Sequence, residues 1–337
     1  MLPLILVIGC GSIGERHVRT FLKTGRCRIV ACDTRTAILA AMAERYGVST
    51  AADWRAAYRT EPVHAVVIAT PANSHVVIAQ EALQHGCHCL IEKPLSLNLN
   101  GLAELRAAQR QSGRTVAIAY VQHLRPEIAA ARAFIRSGQF GRVCHAAVVT
   151  GQHFPTFRPA YREIYYRDRA QGGGAIQDAL THMSNAMEWI LGPTRSLYCD
   201  ATHQALPDVE VEDTVSIIAR TEAGAMVSYT LTQFQAPNEL TILLNAERGS
   251  VKVELHLNRW GQCALGDSDW TWHDLPAVVR DTMFIAQADA FLNACADQPS
   301  DLATLDEGIR CVCFNLAAFR SLQTKAAVEI EPMGSPG

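Results

Sequence analysis

The sequence lacks any run of roughly 20 consecutive apolar residues, which argues against a helical membrane span. It has no low-complexity tract and no internal repeat, so a solenoid or a disordered chain is excluded. Neither sign of charge dominates: 30 Lys and Arg face 33 Asp and Glu, a formal net charge of −3. That balance offers no electrostatic footprint for nucleic acid or an anionic membrane. The 11 cysteines include no C-x-x-C pair. The nearest pairs, Cys87/Cys89 and Cys311/Cys313, are two apart, unlike zinc-knuckle ligands. His203, His256 and His273 are scattered without ligand spacing, so no metal is expected. An odd number of unpatterned cysteines reads as reduced thiols of a cytoplasmic protein. The opening "MLPLILVIG" has no basic region before it and runs straight into a glycine turn, so it reads as a strand rather than a leader. A soluble protein with neither nucleic-acid nor membrane partners is expected.

What is present is an ordinary globular composition, 49% hydrophobic and 19% charged, over 337 residues. Single cores seldom grow past about 250 to 300 residues, so two domains are expected. Up to residue 122, short apolar runs at 4–8, 28–32, 65–69, 88–91 and 115–119 alternate with helix-like stretches at 15–24, 35–46, 74–85 and 99–111. Near-continuous apolar runs suit parallel strands buried on both faces, and the alternation predicts a doubly wound α/β domain over 1–122. Residues 126–137 read as a connecting helix opened by Pro126 and closed by Gly138. The rest, 123–337, reads as an α+β domain. A strong helix at 176–191 precedes strand-like runs at 196–203, 214–220, 225–234, 239–245 and 250–254, with hairpin turns at 221–226 and 245–250. Helical pattern returns at 281–296 and 306–323, and "PMGSPG" reads as a frayed tail.

Gly9-Cys10-Gly11-Ser12-Ile13-Gly14 fits G-x-G-x-x-G between the first strand and the first helix. The first glycine permits the turn, the second admits a pyrophosphate to the backbone, and the third lets helix and strand pack. Backbone N–H groups of Ser12 and Ile13 then face the phosphates at the helix N-terminus. Asp33 ends the second strand about 20 residues on, where a carboxylate meets the adenosine ribose. A carboxylate there repels a 2′-phosphate and favours NAD. Arg35, two residues later, stacks on adenine, pairs with that phosphate and so admits NADP, or is simply solvated.

Beyond this turn, "ATPANSH" (69–75), "HCLIEKPL" (88–95) and "GGGAIQDALTH" (172–182) stand in order along the chain. Together with the fingerprint they resemble the Gfo/Idh/MocA oxidoreductases, relatives of glucose–fructose oxidoreductase and inositol dehydrogenase, over nearly the whole chain. The resemblance implies a Rossmann domain followed by an α+β domain with a large, mostly antiparallel open sheet, which in that family often mediates dimers or tetramers. It implies Thr70, Pro71 and His75 beside the nicotinamide, with Glu92 close by. It also implies a cis peptide before Pro94, and Lys93, Asp178 and His182 at the catalytic positions.

Hydride removal from a secondary alcohol carbon requires a base for the hydroxyl proton. His182 fits that role untuned, Lys93 serves as amine or as a charged polariser, and Asp178 orients either or binds a hydroxyl. On the 176–191 helix, Ile176, Leu180, Met183, Met187 and Ile190 make one apolar stripe, while Asp178, His182 and Asn185 share another face. Asn185 stands where many family members carry Asp, and Val121 and His123 where Asn and Arg are usual. The stretch 151–174 is rich in Arg and Tyr. Its Arg158, Tyr161, Arg162, Tyr165 and Arg169 are candidate contacts for a polyhydroxylated or anionic sugar, and it loosely resembles relatives acting on amino-sugar or sugar-nucleotide substrates. The expected activity is NAD(P)-dependent oxidoreduction of a sugar, inositol or sugar derivative. The alternatives are redox-neutral glycoside cleavage through transient oxidation, and a non-catalytic dinucleotide-binding regulator.

Overall fold

The computed structural model describes residues 2–279 and 281–331. The 332–337 stretch, read above as a frayed tail, lies outside the described residues.

The chain packs as two units. Within the described residues the first comprises 2–124 with 279 and 281–309, and the second 125–278 with 310–331. This differs from an uninterrupted division at 122/123. The helix Thr282–Ala294 belongs with the first unit because its Ala288, Phe291 and Leu292 are buried in the same core as Val18 and Phe21. Phe21 and Phe291 meet edge to face with ring centroids 6.2 Å apart.

The first unit is built on six parallel strands: β1 (Leu4–Ile8), β2 (Arg28–Cys32), β3 (Ser49–Ala51), β4 (Ala65–Ile68), β5 (His88–Ile91) and β6 (Val116–Ile118). Their order is β6-β5-β4-β1-β2-β3, and Ala303–Thr304 adds an antiparallel edge beside β6. All residues of β1, β4 and β5 are buried, as an apolar parallel sheet covered on both faces requires. The order reverses between β1 and β4, the switch point at which such sheets bind ligands beyond the strand C-termini.

The second unit carries a nine-stranded sheet. Its strands are β7 (Val143–Gly151), β8 (Thr194–Thr202), β9 (Thr214–Thr221), β10 (Met226–Thr232), β11 (Glu239–Ala246), β12 (Gly249–Glu254), β13 (Arg259–Ala264) and β14 (Thr271–Asp274). The order is β14-β13-β12-β11-β7-β10-β9-β8, closed by Val328–Glu329 at the β8 edge. Among the described residues only β7 and β10 run parallel, and every other pair in this sheet is antiparallel. Strands β9 and β10 alternate buried and outward residues, so one face is core and the other is not. The core face is covered by Pro126–Arg136, by the 176–191 segment and by Phe314, Ala317 and Ala318. Strands β3, β7, β13 and β14 and the helix Trp54–Thr60 are additions to the sequence reading. The 154–171 stretch folds as a series of short helical turns.

Candidate active site

The three glycines of the turn do different work. Gly9 has φ +86, and a Cβ there would come within 2.9 Å of the Ala69–Thr70 backbone. At Gly14 a Cβ would stand 1.8 Å from the Gly9 carbonyl oxygen. At Gly11 the nearest atom to a Cβ would be Arg35 Nη2 at 3.9 Å. Gly9 and Gly14 are therefore demanded by the protein's own packing, whereas Gly11 leaves open the approach a pyrophosphate needs. Gly11 also caps the helix Ser12–Lys23 with no side-chain bond, so its first N–H groups, with Ser12 exposed and Ile13 half-buried, suit an anion. The residues present fit a dinucleotide.

Asp33 is buried at the end of β2. Its Oδ2 accepts from the Cys10 N–H (2.9 Å) and from Arg35 Nη2 (3.0 Å). Its Oδ1 accepts from the Arg35 N–H and Nε, both at 2.9 Å. Burial works against ionisation, but the Arg35 and backbone bonds outweigh it and hold the carboxyl at about 2. Arg35 thus folds back over the carboxylate with 61% of its side chain exposed.

Strand β5 delivers Glu92 and Lys93. The Lys93–Pro94 peptide is cis. Glu92 is buried, and Lys93 half-buried. Glu92 Oε1 lies 2.7 Å from His17 Nε2, and Oε2 accepts from the Lys93 N–H at 3.1 Å. Burial opposes its charge, yet the His17 bond and the nearby positive charges keep the carboxyl below the ordinary glutamate range. His75 is also buried: Nδ1 faces the Pro94 carbonyl at 3.0 Å and Nε2 the Thr70 carbonyl at 2.8 Å. Burial lowers its pKa. His75 therefore sits between the Thr70 and Pro94 carbonyls, and the single N–H of its neutral ring donates to one of them. Thr70 is half-buried and its hydroxyl accepts from Ser74 Oγ (2.7 Å); Pro71 is exposed.

In the second unit the expected continuous α-helix opens instead with a π-helical turn, Ile176–Leu180, before the α-helix Thr181–Leu191. Such widened turns recur at functional sites because they re-aim side chains. Ile176, Leu180, Met183, Met187 and Ile190 all enter the core as the stripe predicts. The polar face is not solvent-facing: Asp178 and Asn185 are 2% and 1% exposed, and His182 is half-buried. Among the described residues Asn185 Oδ1 has no hydrogen-bond partner. Asp178 Oδ2 accepts from Arg158 Nη1 at 2.7 Å, and Oδ1 from the Tyr165 hydroxyl at 2.6 Å. The Asp178 charge in turn raises the Arg158 pKa.

The other loop candidates lie elsewhere. Tyr161 is a core residue: it packs with Phe154, Tyr166, Leu206, Val209 and Val211, and its hydroxyl donates to Pro207 O at 2.8 Å. That enclosure removes it from the substrate contacts expected above. Arg162 pairs with Asp208 at 2.7 Å. Arg169 pairs at 2.7 Å with Glu212, a buried carboxylate that also accepts from the Ile176 N–H (3.2 Å). A Cβ on Gly174 (φ +89) would fall 2.5 Å from Glu212 Oε1, so Arg169, Glu212 and that glycine together fix the entry to the π turn. A cavity of about 900 Å³ beside this loop is lined by Arg167, Arg169, Asp208 and Glu210 among others, and by neither Asp178 nor His182.

Sequence reasoning missed His17 and Glu212. The signal for His17 was its place beside Val18 and Phe21 on the buried side of the first helix. One further cluster, His64, His88 and Cys295, brings three donor atoms within 4.8 Å of one another. His88 is capped there: Nδ1 accepts from the Thr115 N–H (3.1 Å) and Nε2 faces Arg114 Nη1 (3.3 Å). A metal-bound imidazole instead donates its second N–H to an acceptor. Burial first, then His64 and Arg114, lower its pKa to about 4.

Residues 4–120 match the oxidoreductase family with NAD-binding Rossmann fold (GFO_IDH_MocA), and residues 128–252 the GFO/IDH/MocA C-terminal domain. Oxidoreductase P35 of Formosa agariphila is 24% identical over 313 residues, 88% of this chain and 95% of that protein. Inositol 2-dehydrogenase of Burkholderia multivorans is 28% identical over 62% of this chain and 63% of its own length. Levoglucosan dehydrogenase of Pseudarthrobacter phenanthrenivorans is 25% identical over 55% and 50%. This chain thus matches only half to two thirds of the length of the latter two. Among solved structures, levoglucosan dehydrogenase with NADH and levoglucosan has a TM-score of 0.88 at 20% identity, covering 98% of this chain and 100% of that one. The WlbA dehydrogenase of Bordetella pertussis with NADH and UDP-GlcNAcA has 0.82 at 22%, covering 98% and 99%. At such identities the likeness is one of fold. The two matched domains, over the glycine turn and β5 loop described here, make the chain a member of the Gfo/Idh/MocA family of NAD-dependent oxidoreductases.

Proposed function

We propose that this protein oxidises or reduces one secondary hydroxyl or keto carbon of a sugar, an inositol or a related polyol. The bound nicotinamide supplies the hydride acceptor or donor. In the oxidative direction the substrate's C–H pair leaves as hydride, its O–H proton passes to the protein, and a C=O forms. The observation that carries this reading is Asp178: a buried carboxylate on a π turn that gathers Arg158 and Tyr165 from the preceding loop. A carboxylate with such donors is suited to hold a hydroxylated ring by shared hydrogen bonds. His182, on the following turn, is assigned as the proton acceptor, and Lys93 as the cation that polarises the substrate oxygen. Gly9, Gly11, Ser12, Ile13, Gly14, Asp33 and Arg35 are assigned to the cofactor's pyrophosphate and ribose, and Asn185 to a substrate hydroxyl.

A panel of sugars, inositols and their derivatives, offered with NAD and with NADP and followed by reduced-cofactor absorbance, tests the reading. Stoichiometric NADH release is expected with one or more of them. Substrate cleavage without net NADH would replace the dehydrogenase assignment by redox-neutral cleavage. Loss of turnover in K93A, D178N and H182N, with NADH binding retained, is the expected outcome for the three catalytic assignments. Full turnover in any of the three would overturn that residue's catalytic assignment, and NADH binding with no turnover on any compound of the panel would point to a cofactor-binding regulator.

We also assign the outward face of the second sheet to self-association. Tyr198 and Ile218 are direct cross-strand neighbours, and Val149 and Met226 share the exposed apolar surface. A dimer or tetramer by light scattering, dissociated by I218K, is the expected result. We assign a cytoplasmic location from the nicotinamide requirement and the odd number of unpatterned cysteines; fractionation of the producing cells checks it.

A further inference from the structure

The pair formed by His17 and Glu92 takes no part in the chemistry above, yet its two ends lie on two functional elements. His17 is 1% exposed, on the helix whose N-terminus closes the glycine turn. Its ring packs against Phe21 (centroids 6.3 Å apart) and edge-on against Phe284 (5.9 Å). From this apolar seat Nε2 reaches Glu92 Oε1 at 2.7 Å, and the second carboxylate oxygen accepts from the backbone N–H of Lys93. Both oxygens of Glu92 are engaged inside the protein, so its geometry is that of a bracket rather than of a cofactor contact. On the far side of the same turn, His75 Nδ1 stands at the Pro94 carbonyl. The Lys93–Pro94 unit is thus held at its N–H from the phosphate-binding helix, and its following carbonyl faces the helix His75–Gln84. Net stability does not account for such a pair, because burying two polar partners costs about what their attraction returns, and apolar residues of similar volume often serve as well.

We propose that His17 and Glu92 are positioning residues for Lys93, transmitting the placement of the cofactor's phosphate-binding helix to the catalytic lysine through the chain His17 Nε2, Glu92 carboxylate, Lys93 N–H. The inference rests on the assignment of Lys93 above. It gives Glu92 a role one step removed from the cofactor, and it gives His17 a role that the glycine fingerprint alone does not.

Three variants test it: H17L/E92M, which replaces both partners by apolar groups; H17Q, which keeps a donor at the Nε2 position; and E92Q, which keeps the volume without the charge. The readouts are NADH affinity by titration, kcat on whichever sugar or polyol the panel identifies, and acetylation of Lys93 by acetic anhydride with and without NADH, followed by peptide mass spectrometry. The double variant is expected to bind NADH within about threefold of wild type while losing on the order of 100-fold in kcat, the scale on which small misplacements act. NADH is expected to shield Lys93 strongly in wild type and H17Q, and weakly in H17L/E92M. Recovery of kcat to within about fivefold in H17Q completes the expectation.

Wild-type kcat in H17L/E92M, or an NADH affinity that falls in step with kcat, would overturn the positioning role. If that double variant does not fold, E92Q decides: a tenfold or greater loss of kcat supports the proposal and wild-type kcat overturns it. K93A separates the two layers of reasoning. Should K93A turn over normally, or NADH fail to shield Lys93 even in wild type, the lysine assignment itself fails. If K93A is inactive and the pair variants are not, only the positioning role fails.

Discussion

Substituting alanine at Gly11 and at Gly14 should separate cofactor binding from folding within one six-residue turn. Gly11 has φ −67, a backbone that alanine adopts readily, and its added methyl would meet nothing nearer than Arg35 Nη2 at 3.9 Å. Alanine is a poorer helix N-cap than glycine, so G11A should cost about 0.5–1 kcal/mol. The same methyl would occupy the space through which a pyrophosphate approaches the backbone. The NADH Kd should therefore rise tenfold or more, equivalent to at least about 1.4 kcal/mol. At Gly14 the methyl would lie 1.8 Å from the Gly9 carbonyl oxygen, a backbone atom held by the close approach of Ala69 and Thr70 to Gly9. Relief requires the helix start or the whole turn to move by more than 1 Å. We expect G14A to lose about 3 kcal/mol or more, at or above the upper end of the overpacking range. Thermal unfolding and fluorescence titration of NADH, run on both variants, read the two effects separately. G11A binding NADH as wild type does would refute the placement of the pyrophosphate at Gly11. A G14A protein as stable as wild type would refute the reading of Gly14 as a packing glycine.

Other outcomes follow from the same geometry. R35A should leave NAD binding within a few fold but weaken NADP by tenfold or more, because the uncovered Asp33 charge repels a 2′-phosphate; equal effects on both cofactors would remove Arg35 from that end of the site. Asp33 sits at about 2 in the fold against 3.8 unfolded, so its stabilisation is complete above pH 4 and lost as pH falls toward 2. With Arg35 mostly exposed, that contribution is about 1–2 kcal/mol. Acid denaturation of D33N should lack this part of the pH 2–4 decline, and an unchanged profile would contradict it. Y165F should lower kcat/KM by about tenfold with NADH binding intact, by loss of one hydrogen bond to a charged group. Y161F, by contrast, should act on stability, because its hydroxyl serves Pro207 inside a core. A kinetic defect in Y161F without destabilisation would restore Tyr161 to the site.

The first domain was legible because its strands are apolar throughout. Leu4–Ile8 and His88–Ile91 are buried on both faces, and such runs leave a trace in sequence whatever their neighbours. Strands β13 and β14 left none: "RWGQCA" and "TWHD" are short, half-buried and polar, and exist by pairing with β12 and with each other. Tyr161 and Tyr165 look alike in the sequence, four residues apart in one Tyr-rich loop. Which of them enters the core with Phe154 and Tyr166 depends on the phase of consecutive short helical turns, and no local propensity sets that phase. The π turn at Ile176–Leu180 is likewise a one-residue adjustment that leaves the apolar stripe in place. It was invisible to periodicity for that reason. The polar members of the site were legible as residue types and spacing, whereas their partners, Glu92 with His17 and Glu212 with Arg169, lie 75 and 43 residues apart.

The carboxylates at the two ends of the proposed chemistry share a construction. Asp33 is almost wholly enclosed, and so is Asp178, yet each is paired with an arginine whose side chain is 61% or 49% exposed. A buried carboxylate without partners would be costly, so a cation must stand beside it whenever no ligand does. An arginine reaching in from solvent meets that need at small net cost, since its guanidinium keeps much of its hydration and a mostly exposed pair is worth little. A sugar or ribose hydroxyl can then replace one guanidinium bond, or share the carboxylate with it, without leaving the charge uncompensated. Both acids are aimed by the fold: Asp33 through the Cys10 N–H and Asp178 through its place on the π turn. The arginines remain exchangeable. On this argument R158M should do more harm than R35A, because the Asp178 side chain is the more deeply enclosed, 1% exposed against 5% for Asp33, and Arg158 is the less exposed arginine. Measured thermal stability should fall further in R158M than in R35A, and the reverse order would break the parallel between the two acids.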